Sequence, residues 1–214
     1  DNPINVISWN SGSHSYDVLT IANGGSISSS SCGTLAITAN EIIVQSGGSI
    51  NADSIVWDGQ GHGGDEATSA NGAAGTGTAG GAGHAGAGGN GGGSAGNGGL
   101  TYGTGTECGS SGGNVTGSNP TEGGRGGIEV VLVAGVIAVD GAITSNGEDS
   151  DHGQVAPGGT GIGGHGAGGG SGGSLMLKAN TITIGATGSV HSRGGAGGDG
   201  ADGTQSGVGI GMHD

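Results

Sequence analysis

The 214-residue sequence predicts an all-β fold: a short parallel β-solenoid of either hand, with polyglycine-II (left-handed extended) helices inserted between its coils and packed in a layer. Three observations predict it. Related passages recur along the chain, each with apolar residues two apart. Small turn steps interrupt each passage at matching places. The stretches between passages carry glycine at every third residue.

The recurrence is close. "LAITANEIIVQSGGSINAD" from Leu35 aligns without a gap on "LMLKANTITIGATGSVHSR" from Leu175. Leu35 falls on Leu175, Ile37 on Leu177, Ala39 on Ala179, Ile42 and Val44 on Ile182 and Ile184, and Ile50 on Val190. A third copy, "VVLVAGVIAVDGAITSNG", fits after a two-residue deletion and places Val130, Leu132, Ala134, Ile137, Val139 and Ile143 at the same positions. A partial fourth sets Leu19, Ile21 and Ile27 against Ile42, Val44 and Ile50.

Positions two apart suit strands with one buried face, and the helical spacing i, i+3, i+4 does not fit. The Ala-Asn or Ala-Gly step and the Gly-Gly-Ser or Thr-Gly-Ser step are turn chemistry, so each copy is expected to form three short strands separated by corners. Stacked copies would lay Leu on Leu and Ile on Ile, each buried side chain contributing about 1.5–3 kcal/mol. With no Phe, two Trp and two Tyr, the core must be thin and aliphatic. These passages resemble the parallel β-helix coils of filamentous-haemagglutinin-type adhesins, a likeness that covers the strand passages only.

The 61 glycines gather in tracts that leave after the third strand of a coil ("INADSIVWDGQGHGG", "ITSNGEDSDHG", "VHSRGGAGG"). Two tracts return just before a first strand ("GGRGGIEVVL", "GGGSGGSLML"). Pinning both ends lowers the entropy cost of ordering what lies between. Glycine stands at 77, 80, 83, 86, 89 and 92, again at 163, 166, 169 and 172, and again at 194, 197, 200 and 203. Three residues per turn is the extended left-handed helix, which makes no hydrogen bonds within itself, so its amides must bond to water or to a neighbouring strand of the same kind. Three prolines are too few for collagen. The competing reading, disordered loops over 59–127 and 147–173, rests on the large entropy that glycine loses on ordering; the register, the pinned ends and the scarcity of charge weigh against it. The segments "GTAGGAGHAGAGGNG" and "GGAGGDGADG" resemble two families built on such bundles, the receptor-binding tip adhesins of T-even-type phage tail fibres and the springtail glycine-rich antifreeze proteins.

The chain is expected to be one elongated domain over 1–214, with coils near 18–57, 128–146 and 174–193 and glycine-rich insertions at 59–127, 147–173 and 194–211. Seventeen acidic against three basic residues give a net charge of -14, which repels nucleic acid and anionic lipid. No apolar run reaches transmembrane length and no leader pattern opens at Asp1, so a soluble chain in an extracellular or surface-exposed setting is expected, without membrane insertion.

Candidate sites are sparse. Cys32 and Cys108 are the only thiols and would form one disulfide in an oxidising compartment. Asn114 opens an Asn-Val-Thr glycosylation triplet. The seven histidines show no zinc-ligand spacing. "GGDGADGTQ" resembles the calcium nonapeptide of RTX repeats, which implies Asp199 and Asp202 as oxygen ligands, and departs from it at Thr204. The clusters Asp58, Asp65, Glu66 and Glu148, Asp149, Asp151 would hold calcium or keep the surface soluble. No other cofactor is expected.

Parallel β-helices host polysaccharide lyases and hydrolases, but those sites cluster carboxylates with a basic residue. Here the cations are Arg125, Lys178 and Arg193, and the two arginines are expected to cap glycine-tract carbonyls. The expected function is therefore non-enzymatic: an extracellular structural protein that assembles with copies of itself into a fibre or surface layer. An adhesin binding a cell-surface glycan or protein receptor is the alternative, and ice binding a third.

Overall fold

A strand with one apolar face gains little alone, and a chain that turns every few residues can bury that face by coiling on itself. In the computed structural model the described residues are 4–9, 11–29, 33–53, 82–84, 99, 108–113, 122–152 and 167–198. They contain nine strands and no helix: β1 (Ile4–Trp9), β2 (Gly12–Ser15), β3 (Val18–Ser29), β4 (Thr34–Val44), β5 (Ser49–Asn51), β6 (Glu129–Val139), β7 (Ala142–Thr144), β8 (Leu175–Ile184) and β9 (Ser189–His191). The strands form one sheet in the order β8-β6-β4-β3-β5-β7-β9, with β1 on β3 and β2 on β4. Every pairing is parallel, and the sheet bends round into a nearly closed coil consistent with a parallel β-helix.

The pairing register is the one that the repeats predict. Leu35 pairs with Val130 and Val130 with Leu175; Ile37, Leu132 and Leu177 form the next ladder. Leu19, Ile42, Ile137 and Ile182 continue in line, as do Ile21, Val44, Val139 and Ile184. Ile27, Ile50, Ile143 and Val190 complete the third side. From Leu19 to Ile143 these ladders are at most 2 % exposed, so the core is a set of aliphatic stacks with no aromatic filler among the buried residues. Glu129 is buried beside them, and its Oε2 accepts from the Thr34 hydroxyl.

Two features differ from the expected coil. The first corner does not break the strand: Ala39 pairs with Ala134 and Glu41 with Val136, so β4 and β6 run straight through it. What changes there is parity, since the buried positions step from Leu35, Ile37 and Ala39 to Ile42 and Val44. The inward face rotates while backbone pairing continues, and the Asn40 and Glu41 amides bond to the Asp17 carbonyl of the coil before. The second corner is a true turn, closed by the Gly48 amide on Gln45 O at 2.8 Å with Gly47 at φ +79°.

The strands β1 and β2 are the other difference. β2 reads Gly-Ser-His-Ser, with no apolar alternation, and stands as a strand because its backbone pairs with residues 35–38 of β4. β1 lies on β3, with Ile4 opposite Ile21 and Ile7 opposite Ile27. At the far end β8 pairs with β6 alone among the described residues, and its ladder residues emerge into solvent: Ile182 is 43 % exposed and Ile184 52 %.

Candidate functional site

The glycine tracts are the part of the chain with no counterpart in the coil. Where described, they form extended threads at 82–84, 108–113, 122–128, 145–151, 167–174 and 192–198. Two of them begin at strand ends, Ser145 following β7 with its amide on His191 O and Ser192 following β9, while 122–128 and 167–174 lead into β6 and β8. Both hydroxyls donate to carbonyls of neighbouring threads, Ser145 to Ile128 O and Ser192 to Gly173 O, and Ala52 holds the same column after β5. A small residue after β5, β7 and β9 is thus the sequence signal for the point at which the chain leaves the coil.

The threads bond to each other through their backbones, and the pattern repeats every third residue. Gly109 donates to Gly127 O (2.7 Å), Gly127 to Ser171 O (3.0 Å) and Ser171 to Ser110 O (3.0 Å). Three residues along, Gly112 donates to Gly124 O, Gly124 to Gly168 O and Gly168 to Gly113 O, at 2.9–3.0 Å. A second set runs from Glu148 to Arg125 O, Gly170 to Glu148 O and Gly195 to Gly170 O; it recurs at Asp151 to Glu122 O, Ala167 to Asp151 O and Gly198 to Ala167 O. The thread 167–174 is bonded to every other one, including Ala82, whose amide reaches Gly169 O at 3.0 Å.

Close approach is what makes glycine necessary here. A Cβ on Gly123, Gly124, Gly126 or Gly127 would meet the backbone of a neighbouring thread, and the same holds for Gly169, Gly170, Gly172 and Gly173. None of these has the positive φ that would itself select glycine. In the peripheral thread only Gly195 and Gly198 are so placed; Gly194 and Gly197, part of the every-third register, have room.

Polar side chains finish the edges of the bundle. Glu148 Oε2 lies 3.5 Å from Arg125 Nε and accepts the Arg125 amide, Asp149 accepts the Ala196 amide, and Asp151 accepts the Glu122 amide. Asp53 accepts from the Asn146 amide at 2.6 Å and the Thr144 hydroxyl at 3.1 Å, and so ties the second coil to the third. These carboxylates hold amides that adjacent threads leave over. Buried Ser110 bonds Gly83 O through its hydroxyl and Ser171 Oγ through its amide, which fixes the innermost thread.

Cys108 is buried, and its Sγ accepts the Gly33 amide at 3.2 Å, so the residue following Cys32 stands against it. Cys32 itself, Asn114, Asp199, Asp202, the cluster Asp58, Asp65 and Glu66, and most of the every-third glycines lie outside the described residues. Among the described residues no three His, Cys, Asp or Glu side chains converge as a metal site. No described helix is long and apolar enough to cross a membrane. Tyr16, at the first corner, has its pKa raised by burial. Compared with known proteins, the chain matches no family model, no curated protein and no solved structure.

Proposed function

We propose that the threads are polyglycine-II helices, packed as a layer on a parallel β-solenoid, and that the chain is a non-enzymatic, extracellular structural protein assembling with copies of itself. The observation that carries the reading is the amide bonding between threads, which returns every third residue and reaches several neighbours in turn. Three residues per turn with no internal hydrogen bonds is the geometry of that helix. A thread with donors on several sides packs sideways without limit until a side chain or solvent stops it.

The chemistry of the bundle supports a mechanical role. Its interior is backbone, its hydroxyls bond carbonyls, and Glu148, Asp149 and Asp151 accept thread amides. The Gly33 to Cys108 contact suits a disulfide at Cys32 and hence an oxidising setting. Negative-stain electron microscopy of the purified protein tests the reading. Fibres or sheets are expected; discrete single particles at high concentration, with retention on a glycan array, would replace it with the adhesin reading.

A further inference from the structure

The coil has one end whose core is uncovered. In the ladder Leu19–Ile42–Ile137–Ile182, and in the ladder Ile21–Val44–Val139–Ile184, every member is at most 2 % exposed until β8, where exposure jumps to 43 % and 52 %. β8 also presents an unpaired strand edge among the described residues. The opposite end differs, because β1 lies across β3 and Ile21 and Ile27 are fully buried there.

We propose that this end is a two-fold interface, in which β8 of one copy pairs antiparallel with β8 of a second copy. The proposal deepens the self-assembly reading by naming one contact of it. Two observations select a second copy as the occupant. The first is continuity: inside the chain each coil already covers the next by setting Ile or Val on Ile, so the surface left at Ile182 and Ile184 is the same surface that β6 offers to β8. The second is charge. In a chain of net charge -14, a copy is a repulsive partner on almost any face, yet residues 175–191 contain no Asp or Glu, and their charged or titratable side chains are Lys178 and His191 alone. The other end carries Asp17 at its corner.

A two-fold axis through Thr183 sets Ile182 opposite Ile184 of the second copy, and Ile184 opposite its Ile182, so both exposed ladder residues are covered by one operation. The same axis lays the Leu175–Ala179 side over the second copy's Ser189–His191. Such an interface closes on itself: it yields a pair, and a fibre then needs a further contact through the glycine layer.

The test uses the full chain. Sedimentation equilibrium of the wild type should show a reversible dimer step, and Ile184→Asp, which sets two carboxylates against the facing isoleucines, should weaken it at least about a hundredfold. Because Ile184 is half exposed within one copy, the variant should keep the thermal transition of the wild type when both are measured dilute enough to be monomeric, which separates loss of pairing from loss of fold. Thr183→Cys places two thiols across the axis, within the roughly 4.4–6.8 Å Cα separation of a disulfide, and should cross-link into a dimer under mild oxidation. A dimer with no Thr183→Cys cross-link, a dimer untouched by Ile184→Asp, or a head-to-tail ladder of oligomers would overturn the proposal. Fibres that form without the cross-link would leave the structural reading standing and remove this one; a cross-linked pair without larger assemblies would do the reverse.

Discussion

The peripheral thread 192–198 contains its own control for the packing of the bundle. A Cβ at Gly195 would meet the Glu148 carbonyl and lie 2.7 Å from Asp149 N; at Gly198 it would meet the Asp151 carbonyl. At Gly194 the nearest neighbour is Gly170 O at 3.5 Å, and at Gly197 it is Ala167 O at 3.8 Å, which is ordinary contact. Gly195→Ala must push two threads apart. Overpacking of this kind costs about 1–3 kcal/mol. The shift also threatens the bonds from Gly195 to Gly170 O and from Gly170 to Glu148 O, each worth about 1 kcal/mol net. The sum is roughly 3–5 kcal/mol, a fall of roughly 6–20 °C in Tm for a chain of this size. Gly194→Ala and Gly197→Ala meet no obstacle and have no positive φ to strain, so they should be neutral or stabilise by about 0.4–1 kcal/mol through the unfolded state. Differential scanning calorimetry of the four variants reads the pattern. Equal shifts at all four positions would refute lateral packing as the reason for glycine in the thread.

Leu132→Ala, in the middle of the ladder from Ile37 to Leu177 and fully buried, should cost about 2–5 kcal/mol in urea unfolding, whereas Ile184→Ala should cost under about 1 kcal/mol. Peptide mapping without reductant should find Cys32 joined to Cys108, and reduction should lower stability by about 2–5 kcal/mol, since the bond would close a long loop. Burial raises the Tyr16 pKa above its ordinary 10.0, so its contribution to stability is fully present below that pH and is lost as pH climbs through the folded value. Urea midpoints measured on either side of pH 10 should fall for the wild type and fall less for Tyr16→Phe.

The coil was legible because its apolar positions recur. The match of Leu35 to Leu175 and of Ile42 to Ile182 in the sequence is the same match, through Val130 and Ile137, that the backbone makes in space. β2 was not legible, since Gly-Ser-His-Ser becomes a strand only through an edge supplied by β4. The first corner was half legible: Ala39-Asn40 marks where the inward face rotates, but the pairing that runs through it is set by the coils on either side. In the peripheral thread the glycines that packing requires are Gly195 and Gly198, three apart, whereas the every-third register read from the sequence falls on Gly194 and Gly197, where a Cβ has room. Interior threads have neighbours on more sides and need two glycines in three, as in "GGRGG" at 123–127 and "GGSGG" at 169–173. The number of neighbours is a property of the assembled bundle, so the shorter period alone could not separate the two cases.

Because the bonds between threads recur in steps of three, tract length is quantised. In the proposed polyglycine-II geometry, adding three residues to one thread extends it by about 9 Å and supplies one more tier of donors, which find acceptors only if the adjoining threads lengthen too. Tracts could therefore grow outward together in triplets while the coil beneath stays unchanged, and an insertion of one or two residues would turn bare faces away from the backbones they must touch.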